Sequence, residues 1–131
     1  MLSFRDVAAV RQDICERAFR FATAVLGRYR RLAAGGPAQS HIAQQLLKSV
    51  SSIGANLEEG RAASSRRDMA SKYAIALREA RESRYWLRLL ASQLSNQDDF
   101  APLLQESNEF VAMLTVSVRR LRTPSDLTSD L

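Results

Sequence analysis

The sequence predicts an all-α protein in which four antiparallel helices run up-down-up-down as a bundle. Two observations predict this fold class. Apolar residues recur at steps of three and four along four segments, which is the period of an α-helix. Glycine and proline are scarce, at five and three in 131 residues. The length suits one domain, whose bounds we predict at residues 1–122, before a mobile tail at 123–131 that lacks this periodicity.

The first helix is predicted from Arg5 to Leu32, and Ser3 and Asp6 have the spacing of a capping box at its start. Two glycines follow it and end a helix readily, while Pro37 suits the first turn of the next helix. The apolar positions of this helix include Val7, Val10, Ile14, Phe21, Val25 and Leu32.

The second helix is predicted from Ala38 to Gly60, with Gly60 as its C-terminal cap. Gly54 lies inside it and costs about 1 kcal/mol relative to alanine, so we expect another backbone to approach closely there, or a kink. Its apolar face is formed by Ile42, Leu46, Val50, Ile53 and Leu57.

One side of this second helix is polar and carries Ser49, Ser52, Asn56 and Glu59. If these side chains are buried, they need hydrogen-bond partners. Arg78 and Arg81 of the third helix are the expected partners, and such contacts would fix the helix register.

The third helix is predicted to begin after Ser65, whose spacing to Asp68 gives a second capping box. Its apolar positions alternate by four and three residues, which is a heptad pattern. They are Met69, Tyr73, Ala76, Ala80, Ser83, Leu87, Leu90 and Leu94.

The fourth helix is predicted to start near Asp98 or Asp99, because acidic residues are favourable at a helix N-terminus. Pro102 is tolerated in the first turn. Its apolar face is formed by Phe100, Leu103, Phe110, Leu114, Val118 and Leu121.

The segment ARESRYWLRLL, residues 80–90, holds the single tryptophan of the chain, Trp86, beside Tyr85. Trp86 lies off the heptad seam, either because a bundle helix has a wide apolar face or because it contacts a second copy of the chain. Several apolar positions are left over in this way, and such patches mark interaction sites. We therefore predict self-association through Ile75, Trp86, Leu89, Leu104 and Val111. Tyr85 either packs on its own helix or stacks on a nucleic-acid base.

The net charge is +5, and seventeen of the nineteen basic side chains are arginine. Arginine contacts carboxylate and phosphate through two donors at once, so this bias suits ion pairing or nucleic-acid binding. The single cysteine, Cys15, cannot form an intramolecular disulfide. There is no secretory signal and no long apolar run, so we predict a cytoplasmic protein without a membrane partner.

Catalytic motifs are absent from the sequence. The only histidine, His41, has no glutamate three residues before it, unlike the Glu-x-x-His motifs of di-iron bundles. Cys15 lacks a histidine partner, and no phosphate-binding glycine loop is present. We therefore predict no enzymatic activity, no metal, no cofactor and no small-molecule substrate.

Two segments of the chain resemble the four-helix-bundle family of the 23S rRNA intervening-sequence protein. They are SSIGANLEEG and SSRRDMASKYAIALREARESRYWLRLL. The first shows serines leading to Asn56, Leu57, Glu59 and Gly60. In the second, a serine-and-arginine stretch precedes the helix, and Ile75, Ala76 and Glu82 match the family pattern. The resemblance covers most of residues 10–120. Gly54 stands where many members have proline.

The resemblance implies an antiparallel bundle that assembles into a homopentameric ring. Some relatives serve as accessory proteins to retroelement reverse transcriptases and bind nucleic acid through a basic surface, others are encoded within rRNA intervening sequences, and many have no known role. The resemblance implies no enzymatic activity. We therefore expect a protein that binds RNA, DNA or a ribonucleoprotein through arginine. The expected phosphate contacts are Arg66, Arg67, Arg78, Arg81, Arg84, Arg88, Arg119, Arg120 and Arg122. The alternative is a protein-binding adaptor or scaffold whose arginines pair with acids between subunits.

Overall fold

The computed structural model describes residues 4–94 and 100–123, with side chains from Ile14 onwards. Within these ranges the chain forms four α-helices and no strand, so the predicted all-α class is confirmed. The helices are α1 (Phe4–Ala33), α2 (Pro37–Arg61), α3 (Arg66–Gln93) and α4 (Ala101–Arg122). The expected cap at Ser3, the expected start at Asp98 or Asp99 and all of the predicted tail except Thr123 lie outside the described residues.

The connections that precede α2 and α3 follow local chemistry. Gly36 has a φ angle of 108°, which side chains rarely tolerate, and Pro37 follows in the first turn of α2. At the start of α3, the Asp68 amide donates a hydrogen bond to the Ser65 hydroxyl over 3.0 Å. This contact confirms the predicted N-terminal cap of α3, and such caps contribute about 1 kcal/mol.

The core is formed where α2 packs against both α1 and α3, and where α3 packs against α4. The heptad seam of α3 is buried from Met69 to Leu90, as predicted. Burial of a large apolar side chain stabilises the fold by about 1.5–3 kcal/mol. The side chains with 0% exposure include Val25, Leu46, Val50, Ile53, Leu57, Ala76, Ala80, Leu87, Phe110 and Leu114.

The contact between α1 and α4 is much narrower than those between helices adjacent in sequence. The rings of Phe21 and Phe110 stack with centroids 5.6 Å apart. Beside them the Arg17 guanidinium forms two hydrogen bonds to Glu106, of 2.8 and 2.6 Å, and one of 2.7 Å to Glu109. A charged network at the rim of the core therefore supplements a small apolar contact.

The buried polar pair of the bundle is Ser49 and Ser83, whose hydroxyl oxygens lie 2.8 Å apart across α2 and α3. Ser49 donates to the carbonyl oxygen of Leu46 over 3.0 Å. We expected Arg78 or Arg81 to be the hydrogen-bond partner of the polar side of α2, and this was wrong. Ser83, from the heptad seam of α3, bonds to the buried Ser49 instead, and both arginines face solvent.

Gly60 has a different role from the one predicted. Helix α2 continues to Arg61, and the capping residue is Ala62, which has right-handed backbone angles. Gly60 is buried, and a Cβ atom there would lie 2.7 Å from two carbons of the Tyr73 ring. Gly60 therefore permits the close packing of α3 on α2 and is not the left-handed cap that the sequence suggested.

Candidate nucleic-acid interface

Helix α3 carries five arginines on its outer side: Arg67, Arg78, Arg81, Arg84 and Arg88, which we call the arginine row. At 100° per residue they fall within about a third of the helix circumference, and they extend along about 32 Å of its axis. Four of them are exposed and Arg84 is partly exposed. The row therefore presents five positive charges on one face, about a third of a turn around the helix from the buried seam.

No member of the arginine row forms a close ion pair with a carboxylate among the described residues. The acidic residues of α3 are Asp68, Glu79 and Glu82, and the helical period places them on the arc beside the row, where Glu82 is one turn from Arg78. Among the described residues, the ion pairs with carboxylates involve Arg17 and Arg61, and none is made by a member of the row. The guanidinium groups of the row are thus available to an anionic partner.

The remaining expected phosphate contacts meet at one end of the bundle. Arg66 donates hydrogen bonds of 3.1 and 2.7 Å to the carbonyl oxygens of Leu121 and Arg120, so it joins the start of α3 to the end of α4. Arg119, Arg120 and Arg122 are exposed in the last turn of α4, where positive charge complements the helix dipole. Arg66 therefore has a structural contact in addition to its predicted role.

Tyr85 lies within the arginine row and is 55% exposed. Its ring meets that of Trp86 edge-on, with centroids 5.2 Å apart and planes at 75°. The Trp86 indole in turn donates a hydrogen bond of 3.2 Å to Glu82. A solvent-facing aromatic ring is thus packed against a second ring, with Arg81 and Arg88 as neighbours on one side.

The predicted interface residues differ in exposure. Trp86, Leu104 and Val111 are partly buried and pack against the core, Ile75 is also partly buried, and Leu89 is 36% exposed. Whether they contact another subunit stays a prediction. Sequence reasoning missed Phe19 and Val116, which are 67% and 46% exposed. The helical period could have identified both residues. Each lies two positions from a buried residue of its helix, which places it on a different face.

Two surface depressions lie at opposite ends of α3. A groove of about 440 Å³ is lined by Gly35, Ala38, Gln39, Ile42, Leu89, Leu90 and Gln93. A smaller and more polar one of about 260 Å³ is lined by Gly60, Arg61, Ala63, Ser64, Ser65, Arg66, Met69 and Leu121. The arginine row runs along α3 between them.

Four titratable groups of the described residues have displaced pKa values. Hydrogen bonds to Glu106 and Glu109 raise the pKa of Arg17. Burial, followed by the nearby Glu58, raises the pKa of the Cys15 thiol, which disfavours its reactive thiolate form. Burial, followed by repulsion from Glu82, raises the pKa of Glu79. A hydrogen bond from Arg17 lowers the pKa of Glu109.

No cluster of three or more histidine, cysteine or acidic residues in the described ranges could hold a metal ion. Over the same residues, no helix has the length and apolarity needed to cross a membrane.

The comparisons with known proteins agree with the fold and the motif. A family model described as 23S rRNA-intervening sequence protein matches residues 11–116, and the chain belongs to this family. The resemblance predicted from the sequence is thereby confirmed. No curated protein matches the chain.

A solved structure is also similar to the chain. It is a protein with unknown function from the S23 ribosomal protein family of Bacteroides thetaiotaomicron, with 29% sequence identity and a TM-score of 0.71. The match covers 81% of this chain and 98% of that chain. The four-helix architecture therefore extends over nearly all of the relative.

Proposed function

We propose that this chain is a non-enzymatic, cytoplasmic, self-associating protein that binds nucleic acid, with RNA or a ribonucleoprotein as its partner. The arginine row carries this proposal. Five guanidinium groups share one face of α3, and none pairs with a carboxylate among the described residues. Guanidinium groups match the geometry of phosphate, and contacts of this kind position a nucleic-acid backbone without reading its sequence.

The length of the row fits a nucleic-acid backbone. Phosphates of one strand repeat about every 3.4 Å along the axis, so a row of about 32 Å is long enough for each of its five arginines to meet a phosphate. Each neutralised phosphate releases counterions, and for single strands the slope of log affinity against log salt is about −0.7 per contact. Five contacts therefore predict a slope near −3.5.

The test is to titrate a labelled 20-nucleotide RNA with the protein at several salt concentrations and to follow fluorescence anisotropy. Replacing Arg78 and Arg81 with glutamine is expected to weaken binding and to reduce the magnitude of the slope by about 1.4. A matched control replaces Arg20 and Arg30, which are exposed on α1, and removes the same charge outside the row.

Two results would contradict the proposal. One is the absence of any RNA binding at low salt. The other is an equal loss of affinity in the row variant and in the α1 control, since net charge alone would then account for the binding.

We propose further that the helices run antiparallel and that five copies of the chain form a ring. The hydrogen bonds of Arg66, at the start of α3, to the end of α4 support the first part. The partly exposed apolar face of α3 with Ile75, Trp86 and Leu89 supports the second. Light scattering on a size-exclusion column is expected to give the mass of five chains, and a monomer would contradict the ring.

A protein-binding adaptor is the second candidate function. One observation favours it: Phe19 and Leu26 are 67% and 61% exposed on α1 and lie seven residues apart, which is one helix face. Replacing Arg119, Arg120 and Arg122 with glutamate separates the two functions. Loss of assembly would favour the adaptor, whereas loss of RNA binding with intact assembly would favour the nucleic-acid binder.

A further inference from the structure

Tyr85 lies among the positive charges of the arginine row, and the carboxylate one turn before it, Glu82, is hydrogen-bonded to Trp86. Arg81 precedes it by four residues and Arg88 follows by three, so both are its neighbours on the helix surface. More than half of the Tyr85 side chain, 55%, is exposed, although the ring carries a large apolar surface. A planar ring between guanidinium groups is the combination with which proteins hold unpaired bases: the arginines track the backbone and the ring stacks on a base.

The ring is also held in place. Its edge-on contact with Trp86, at 5.2 Å between centroids, restricts its rotation. Trp86 is itself partly buried against the core and bonded to Glu82. Tyrosine has only two side-chain torsions, so little conformational entropy remains to be lost when a base stacks on it.

We propose that Tyr85 stacks on an unpaired base, so that the arginine row binds single-stranded nucleic acid in preference to a duplex. This inference rests on the proposed nucleic-acid binding. The preference follows because bases within a duplex are already stacked on each other and offer the protein only their edges, whereas an unpaired base offers a whole face. Phosphate contacts along the row are open to both forms, so the stacked base supplies the difference in affinity.

The experiment compares a labelled 20-nucleotide oligouridine RNA with a 20-base-pair RNA duplex by fluorescence anisotropy at one salt concentration. Stacking of one base contributes roughly 1–3 kcal/mol, so Tyr85→Ala is expected to weaken single-strand binding by about 5- to 160-fold. Duplex binding should stay within about twofold. Tyr85→Phe keeps the aromatic face and should bind the single strand like the unmodified protein.

Phe19→Ala is the matched control, because it removes an exposed aromatic ring of α1 that lies away from the row. It should leave both affinities unchanged. Light scattering on each variant shows whether the assembly is intact.

Three outcomes would overturn the inference. If Tyr85→Ala leaves single-strand binding unchanged while the salt slope persists, the stacking role is wrong and the nucleic-acid surface stands. If Tyr85→Ala changes the mass of the assembly, Tyr85 is a contact between subunits. If neither RNA form binds at all, the stacking role and the proposed function are both wrong.

Discussion

Replacing Gly60 with alanine should destabilise the protein, although alanine is the better helix former. The added Cβ atom would lie 2.7 Å from two ring carbons of Tyr73 and 3.3 Å from the Cβ atom of Lys72. Carbon atoms pack best at about 3.5–4.0 Å, so one side must move by roughly 1 Å. Tyr73 is only 2% exposed, and its ring cannot turn into solvent.

The size of the effect follows from two opposed terms. Overpacking of a buried site costs about 1–3 kcal/mol, and the overlap with a rigid ring places this site in the upper part of that range. Replacing glycine with alanine inside a helix stabilises the helix by about 1 kcal/mol. The free energy of unfolding should therefore fall by about 1–2 kcal/mol, which lowers Tm by roughly 3–5 °C for each kcal/mol in a chain of this length.

Gly54→Ala is the matched control, since it is the same substitution in the same helix. A Cβ atom at Gly54 would lie 3.6 Å from the Cβ atom of Ala18, an ordinary contact. The variant should gain up to about 1 kcal/mol from helix propensity. Its position against Ala18 of α1 also agrees with the predicted close approach of another backbone.

Urea denaturation followed by circular dichroism measures both variants, at one protein concentration because self-association would add to the apparent stability. If Gly60→Ala is as stable as Gly54→Ala, then α3 can move away from α2 without loss. The argument that Gly60 sets the spacing of these helices would then be refuted.

Three further predictions concern the rim of the core and the start of α3. Arg17→Met should lower the free energy of unfolding by about 1–2 kcal/mol, because it leaves Glu106 partly buried without its two hydrogen bonds; thermal denaturation measures this. Ser65→Ala should lower the free energy of unfolding by about 1 kcal/mol, because the hydrogen bond from the Asp68 amide is lost. Ser65→Asp should keep most of that stability, since aspartate also caps helices. Glu79→Gln should raise the free energy of unfolding at pH 7, because the raised pKa of Glu79 means that its ionised form opposes folding. This gain should vanish below about pH 4, where Glu79 is protonated in both the folded and the unfolded chain.

Each of these predictions has a result that contradicts it. An Arg17→Met variant as stable as the unmodified protein would mean that solvent already satisfies the carboxylates. A Ser65→Ala variant without loss would show that water replaces the cap. For Glu79→Gln, a gain in stability that is the same at pH 4 and pH 7 would exclude ionisation as its cause.

Much of the site could be anticipated from the sequence because helical period alone assigns residues to faces. The seam from Met69 to Leu90 and the arc of the arginine row both follow from counting along α3. The exposed Phe19 shows the limit of this counting. Periodicity identifies a residue that leaves the seam, but whether a neighbouring helix covers it depends on how closely that helix packs.

By itself, the sequence determined the four helices, the cap at Ser65, the buried seam of α3 and the family of the protein. These features depend on local hydrogen bonding and on the helical period, which act within a few residues. Only the tertiary structure decided that Ser83 is the partner of Ser49, that Gly60 accommodates the Tyr73 ring, and that Arg66 bonds to the end of α4. Such pairings join residues far apart in the chain, and they depend on interhelical distances that no local pattern records.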